Sequence, residues 1–172
     1  MPAAAAVVRV AGTASVGAQR SPLGSGAVRG LVQRVSEASV SVDGEVVGCI
    51  GPGLCVLVGV SVADGESQAD RLASKIWQLR VFPDDAGNMN RSAAELGLPV
   101  LVVSQFTLYA DASRGRRPSF VRAAPGEQAQ ALVQRVVSQL RAGGAEVATG
   151  RFGATMQVRL VNEGPVTIML ET

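Results

Sequence analysis

Val100-Leu101-Val102-Val103-Ser104-Gln105-Phe106-Thr107-Leu108-Tyr109-Ala110-Asp111 is the stretch on which the fold turns. Its first four residues are aliphatic and mostly β-branched, which suits a strand buried on both faces. The run then becomes polar at Ser104, Gln105 and Thr107, with no proline or glycine to end it. Buried polar groups need partners, so these side chains either cap the strand against neighbouring backbone or face a ligand.

On the N-terminal side, residues 31–36 and 39–42 read as strand, and Asp43-Gly44 is a strong hairpin-turn signal. Residues 45–50 form the returning arm. Gly51-Pro52-Gly53 makes a further turn before 54–60, an apolar run that reads as a central strand. Residues 64–80 switch to helical spacing, with Ala69, Leu72, Ala73, Ile76 and Leu79 on one face and Asp64 or Ser67 as N-cap. Residues 81–98, with Pro83, Asp84-Asp85, Gly87, Asn88 and Gly97, read as a long connection.

On the C-terminal side, 112–120 is a loop carrying Arg114, Arg116 and Arg117 around a glycine, followed by Phe120. Three arginines so placed suit phosphate, but from this segment alone solvated loop arginines are the favoured reading. Residues 126–141 are a second amphipathic helix, stopped by Gly143-Gly144. Residues 155–161 alternate as a strand, Asn162-Glu163-Gly164-Pro165 makes a tight connection, and 166–170 close the chain. The order predicts mixed β-sheets with hairpins at both ends and two packed helices, in the α/β or α+β class.

A chain of 172 residues has room for one domain. Its net charge of +2 does not by itself argue for nucleic acid, which requires clustered charge. With no histidine anywhere, Ser-His-Asp and Cys-His hydrolases and histidine-ligated metal enzymes are excluded. Cys49 and Cys55 read as buried free thiols. No stretch is long and apolar enough to span a membrane. Residues 1–27 are rich in Ala, Val, Gly and Ser, with Arg9 and Arg20 and no acid. That composition fits a transit peptide, and a start codon read too far upstream would look the same; either way the segment is expected to be disordered and outside a domain spanning 28–172. The protein would be cytoplasmic, or chloroplast or mitochondrial if 1–27 is a targeting signal.

Ser104 and Thr107 are the obvious hydroxyls, yet the only lysine, Lys75, sits in a helix and reads as solvated rather than as an activating base. A second candidate is Asn162-Glu163-Gly164-Pro165-Val166-Thr167. It is a plain hairpin turn, or a rigid loop presenting the Gly164 carbonyl outward, and X-Pro is the one bond where cis is accessible.

Leu31-Val32-Gln33-Arg34-Val35, Gly51-Pro52-Gly53-Leu54, Met89-Asn90, Ser104-Gln105-Phe106-Thr107-Leu108, Arg117-Pro118-Ser119-Phe120, Thr149-Gly150-Arg151-Phe152 and Asn162-Glu163-Gly164-Pro165-Val166-Thr167 occur together, in this order. Over residues 28–172 the chain closely resembles the D-aminoacyl-tRNA deacylases. The resemblance implies a homodimeric three-layer α/β/β fold with the active site at the dimer interface. It implies hydrolysis of the ester of D-aminoacyl-tRNA and of glycine mischarged on tRNA, using the ribose 2′-hydroxyl and no cofactor or metal. By it, Ser104, Gln105, Phe106 and Thr107 form the catalytic wall, with backbone N–H groups near Phe106 and Thr107 as oxyanion donors. Gly164 and Pro165, joined by a cis bond, enter from the partner subunit and reject L-amino acids. Phe152 and Met156 hold the terminal adenosine, Asn162 and Thr167 line the substrate site, Arg34 fixes the Gly-Pro loop, and Arg114, Arg116 and Arg117 meet the tRNA backbone. A relative with a trans Gly-Pro bond and Pro-Gln-x-x-Thr edits an L-aminoacyl-tRNA instead; Ser104 argues against it. A non-catalytic tRNA-binding module is the remaining alternative.

Overall fold

Strand β1, Arg29–Val42, is the spine of the sheet and has three antiparallel partners. The computed structural model describes residues 27–113 and 115–172; the expectation for the N-terminal extension falls, apart from Ala27, outside them, as does Arg114. β1 hands over to β2, Glu45–Ile50, through Asp43 and Gly44, whose φ values of 51° and 84° are the left-handed pair a two-residue hairpin turn requires. β3, Gly53–Gly59, runs back along the first half of β1.

Helix α1, Glu66–Gln78, follows, then β4, Arg80–Pro83, β5, Met89–Ser92, and the short α2, Ala93–Leu96. β6, Val100–Ser104, lies parallel to β3 and is buried until Ser104, as its aliphatic run requires. A 3-10 turn at Phe106–Tyr109 ends it. α3, Gly126–Ala142, β7, Val147–Thr149, and β8, Met156–Glu171, complete the chain. The sheet order is β2-β1-β3-β6-β7, and β8 pairs along the other edge of β1.

The main core joins α1 and α3 to one face of β1, β3 and β6, through Leu72, Ile76, Val136 and Leu140 against Val32, Val56 and Val102. A second cluster gathers Val35, Val40, Cys55, Leu101 and Val103, with Ile50, Met156 and Val158 packed against it. β1 is divided between the two: Val32 joins the first cluster, Val35 and Val40 the second, and the simple alternation is broken where the pairing with β8 shifts register between Val35 and Glu37. The helices are further tied by Arg135 of α3, whose Nε and Nη2 donate to the Asp70 carboxylate at 2.7 and 2.8 Å while Nη1 meets Glu66 at 2.7 Å. This is a mixed α/β fold, as expected, with three α-helices among the described residues where two were expected.

Three local expectations are corrected. The N-cap of α1 is Gly65, not Asp64 or Ser67; Asp64 accepts from the Ser61 N–H at 2.7 Å instead, and the Gln68 side chain accepts from the Gly65 N–H at 3.2 Å. Residues 81–98 are not a plain connection. They hold the β4–β5 hairpin, whose turn is closed by Asp84 accepting from the N–H groups of Ala86 and Asn88, and then α2, boxed by Ser92 and Glu95. The C-terminal hairpin is absent. β8 keeps one neighbour throughout: Gln33 faces Thr167 and Val35 faces Asn162, so the four residues from Glu163 to Val166 bulge out opposite Arg34 alone. No described helix is long and apolar enough to cross a membrane.

Candidate active site

Ser104 is the last residue of β6, and the chain changes direction directly after it. The Gln105 N–H donates to the Val58 carbonyl at 2.7 Å, closing the β3–β6 pairing, and Gln105 then leaves strand geometry at φ −145°, ψ 81°. Leu108 and Ala110 donate back to Gln105 and Thr107, which makes the 3-10 turn. The turn can sit this close to β3 because residue 59 is glycine; a Cβ there would lie 2.9 Å from Leu108 Cβ and 3.0 Å from the Gln105 carbonyl. The Gln105 amide donates to the Thr107 hydroxyl, so the two polar side chains of the motif hold one another.

The turn is braced from behind. Arg29 donates from Nη1 to the Leu108 carbonyl at 2.8 Å, lies 4.5 Å over the ring of buried Tyr109, and pairs with Glu171 at 2.7 Å. Burial and the nearby Asp64 carboxylate push the Tyr109 hydroxyl up to about 12. Burial also raises Asp64, against the hydrogen bonds from Ser61 and the charge of Arg29. Lys75 is not part of this region: its ammonium donates to the Glu171 carbonyl at 3.3 Å on the exposed side of α1, and no Ser-Lys pair forms.

In front of the turn lies a cavity of about 480 Å³. Ser104, Gln105 and Phe106 form one wall, Phe152, Gly153, Ala154 and Met156 another, and Ala124, Gly126 and Ala129 at the start of α3 a third. A smaller recess of about 190 Å³ adjoins it, sharing Ser104, Phe152 and Met156 and adding Gln130, Gln134 and Arg151. Ser104, Gln105, Phe106, Phe152 and Met156 are thus brought together within one chain. Thr107 is exposed and is not among the residues that line this cavity. The α3 residues were not singled out from sequence, because Ala129 reads as part of the helix's apolar stripe, which it also is. Among the described residues no three of His, Cys, Asp and Glu cluster as metal ligands.

The remaining predicted residues form a separate group around the β8 bulge. Asn162 donates through Nδ2 to the carbonyls of Arg34 at 2.9 Å and Val166 at 3.0 Å, and its Oδ1 accepts from the Thr167 hydroxyl at 3.4 Å. Gln33 in turn donates to Thr167. Asn162 and Thr167 therefore close the neck of the bulge and do not line the cavity. Arg34 donates to the Val81 carbonyl and, at 3.3 Å, to the Glu163 carbonyl. Gly164, at φ +90°, lies directly over its guanidinium.

One implied feature differs. No described peptide bond is cis, so Gly164–Pro165 is trans here. The two forms of an X-Pro bond differ by only about 0.5–1 kcal/mol, so the surroundings decide, and here Gly164 supplies the turn through its left-handed φ while Arg34 holds Glu163.

Of the arginine loop, Arg116 and Arg117 are exposed. The loop is pinned at its base, where Asp111 and Ser119 exchange two backbone hydrogen bonds of 2.8 Å. Phe120 meets Phe106 edge to face, centroids 5.1 Å apart.

Residues 31–171 match the family model described as D-Tyr-tRNA(Tyr) deacylase. The chain is 59% identical over 145 residues to a D-aminoacyl-tRNA deacylase of Symbiobacterium thermophilum, covering 84% of this chain and 96% of that one. It is 57% identical to a D-aminoacyl-tRNA deacylase of Roseiflexus castenholzii, over 84% and 92% of the two chains. A solved structure titled c-Myc DNA Unwinding Element Binding Protein superposes with a TM-score of 0.78 at 41% identity, covering 84% of this chain and 98% of that chain. A match over most of the chain's length, with relatives at this identity, makes the chain a member of the D-Tyr-tRNA(Tyr) deacylase family.

Proposed function

We propose that this protein hydrolyses the ester joining a D-amino acid to the 3′ end of tRNA, releasing free D-amino acid and tRNA, and that it also clears glycine mischarged on tRNA. The carrying observation is the cavity walled by Ser104, Gln105 and Phe106 in a protein with no histidine. Such a site works by placing the ester rather than by activating a nucleophile. The 2′-hydroxyl of the terminal ribose assists attack by water. Phe106 and Thr107 open a helical turn, where backbone N–H groups lack intrahelical acceptors, and these groups stabilise the developing oxyanion. Phe152 and Met156 hold the terminal adenosine, and Arg114, Arg116 and Arg117 meet the phosphate backbone.

In this reading the working form is a cytoplasmic homodimer of three-layer α/β/β protomers, needing no cofactor. The bulge carrying Gly164 and Pro165 enters the partner's cavity and excludes L-amino acids with main chain, so that side chains of many kinds are tolerated. Support for a second subunit comes from the separation of the two motifs: the bulge residues are absent from the lining of their own chain's cavity. Arg34 and Asn162 act as positioning residues for that bulge.

The trans Gly164–Pro165 bond favours a second reading, editing of an L-aminoacyl-tRNA. Ser104, where that relative carries proline, and the names of the 55–59% identical relatives favour the D substrate. Release of amino acid from purified D-tyrosyl-tRNA tests the proposal; intact D-tyrosyl-tRNA after incubation with the protein would remove it.

A further inference from the structure

Two of the six aromatic residues stand exposed side by side at the mouth of the cavity. Phe106 is 56% exposed and Phe120 38%, and their rings meet edge to face with centroids 5.1 Å apart. Only Phe106 lines the cavity; Phe120 extends the aromatic surface outward from it. The next residue, Val121, is 83% exposed.

This surface is held in place. The loop bearing Phe120 is closed at Asp111 and Ser119, Ala123 donates to the Phe120 carbonyl at 2.9 Å, and Val62 and Ala124 tie the following residues to the end of β3. Arg116 and Arg117 stand exposed on the same loop, four and three residues before Phe120 in the chain. An exposed apolar patch beside cationic side chains suits a single strand of nucleic acid: bases stack on rings while phosphates meet the arginines.

We infer that Phe120 is a stacking platform for the nucleotide immediately 5′ of the terminal adenosine, a subsite next to the cavity and distinct from it. The inference rests on the proposed placement of a tRNA 3′ end in the cavity. It commits to RNA as the occupant because the exposed Arg116 and Arg117, on the same loop as Phe120, complement phosphate. Stacking on Phe120 is sequence-tolerant, as every base has a π-face.

The test is binding of uncharged RNA, which needs no hydrolysis. A fluorescein-labelled RNA hexamer ending in CCA is titrated with the full chain, the F120A variant and the F120W variant, and with a hexamer abasic at the penultimate position. F120A should weaken the CCA hexamer about ten-fold. F120W should restore it, and the abasic hexamer should bind wild type and F120A alike. Equal binding of the CCA hexamer by wild type and F120A overturns the inference, as does equal loss on the abasic hexamer. A fall in sedimentation mass of F120A would also overturn it, since a second copy would then cover the ring. If the hexamer behaves as expected while D-tyrosyl-tRNA is untouched, the deacylase reading fails and the subsite stands. Hydrolysis with no effect of F120A gives the reverse.

Discussion

The guanidinium of Arg34 lies against Gly164 so closely that a Cβ on residue 164 would overlap it, standing 3.4 Å from its Cζ. The same arginine donates to the carbonyls of Val81 and Glu163. One side chain on β1 therefore holds the four-residue bulge of β8 to the start of the β4–β5 hairpin.

Gly164→Ala meets two obstacles at once, a φ of +90° and the Arg34 guanidinium. It should destabilise the fold by about 1–3 kcal/mol in denaturant melts and lower deacylation more than stability alone explains. Arg34→Ala should cost about 2 kcal/mol. Arg34→Lys should recover little of it, because one ammonium cannot reach both carbonyls in the fork geometry of a guanidinium.

Thr107 is exposed and its hydroxyl accepts from Gln105. Thr107→Ala should leave stability within about 0.5 kcal/mol of wild type. Its kcat/KM on D-tyrosyl-tRNA should fall on the order of 10- to 100-fold, the cost of a misplaced positioning group. Unchanged activity would remove the turn from the mechanism.

Cys49 is exposed, whereas Cys55 is buried in β3 with its thiol pushed up to about 11 by desolvation. Iodoacetamide at pH 8 should label one cysteine per native chain, mapping to Cys49 by mass spectrometry, and both only after unfolding. The expectation from sequence that both are buried is corrected for Cys49, which lies on β2, a strand with no fully buried residue.

Asp70 is held below its ordinary value near 3.8 chiefly by its hydrogen bonds from Arg135. Its contribution to stability is full above that value and is lost as pH falls below it through the lowered folded value. Asp70→Asn should therefore lower the Tm at pH 7, and its deficit should shrink below about pH 4.

Much of the sheet was legible because its signals are local. The Asp43-Gly44 turn, the unbroken run of β3 and the aliphatic start of β6 each state a period or a turn type within a few residues. The β8 bulge was not. Asn162-Glu163-Gly164-Pro165 carries turn chemistry, and only pairing with β1 across more than a hundred residues makes it an excursion within one strand. The β4–β5 hairpin was hidden for the related reason that its strands are four residues each and bounded by Pro83 and Asp84. The cavity wall at Ser104 and Phe106 followed from a polar end to a buried strand, whereas Ala124 and Ala129 carry no signal beyond helix packing.

The most direct measurement is parallel deacylation of D-tyrosyl-tRNA and L-tyrosyl-tRNA by the same protein preparation, with and without chelator. The account predicts hydrolysis of the D ester, an L ester spared, and no effect of chelator. Equal hydrolysis of both, or hydrolysis of the L ester alone, would contradict it.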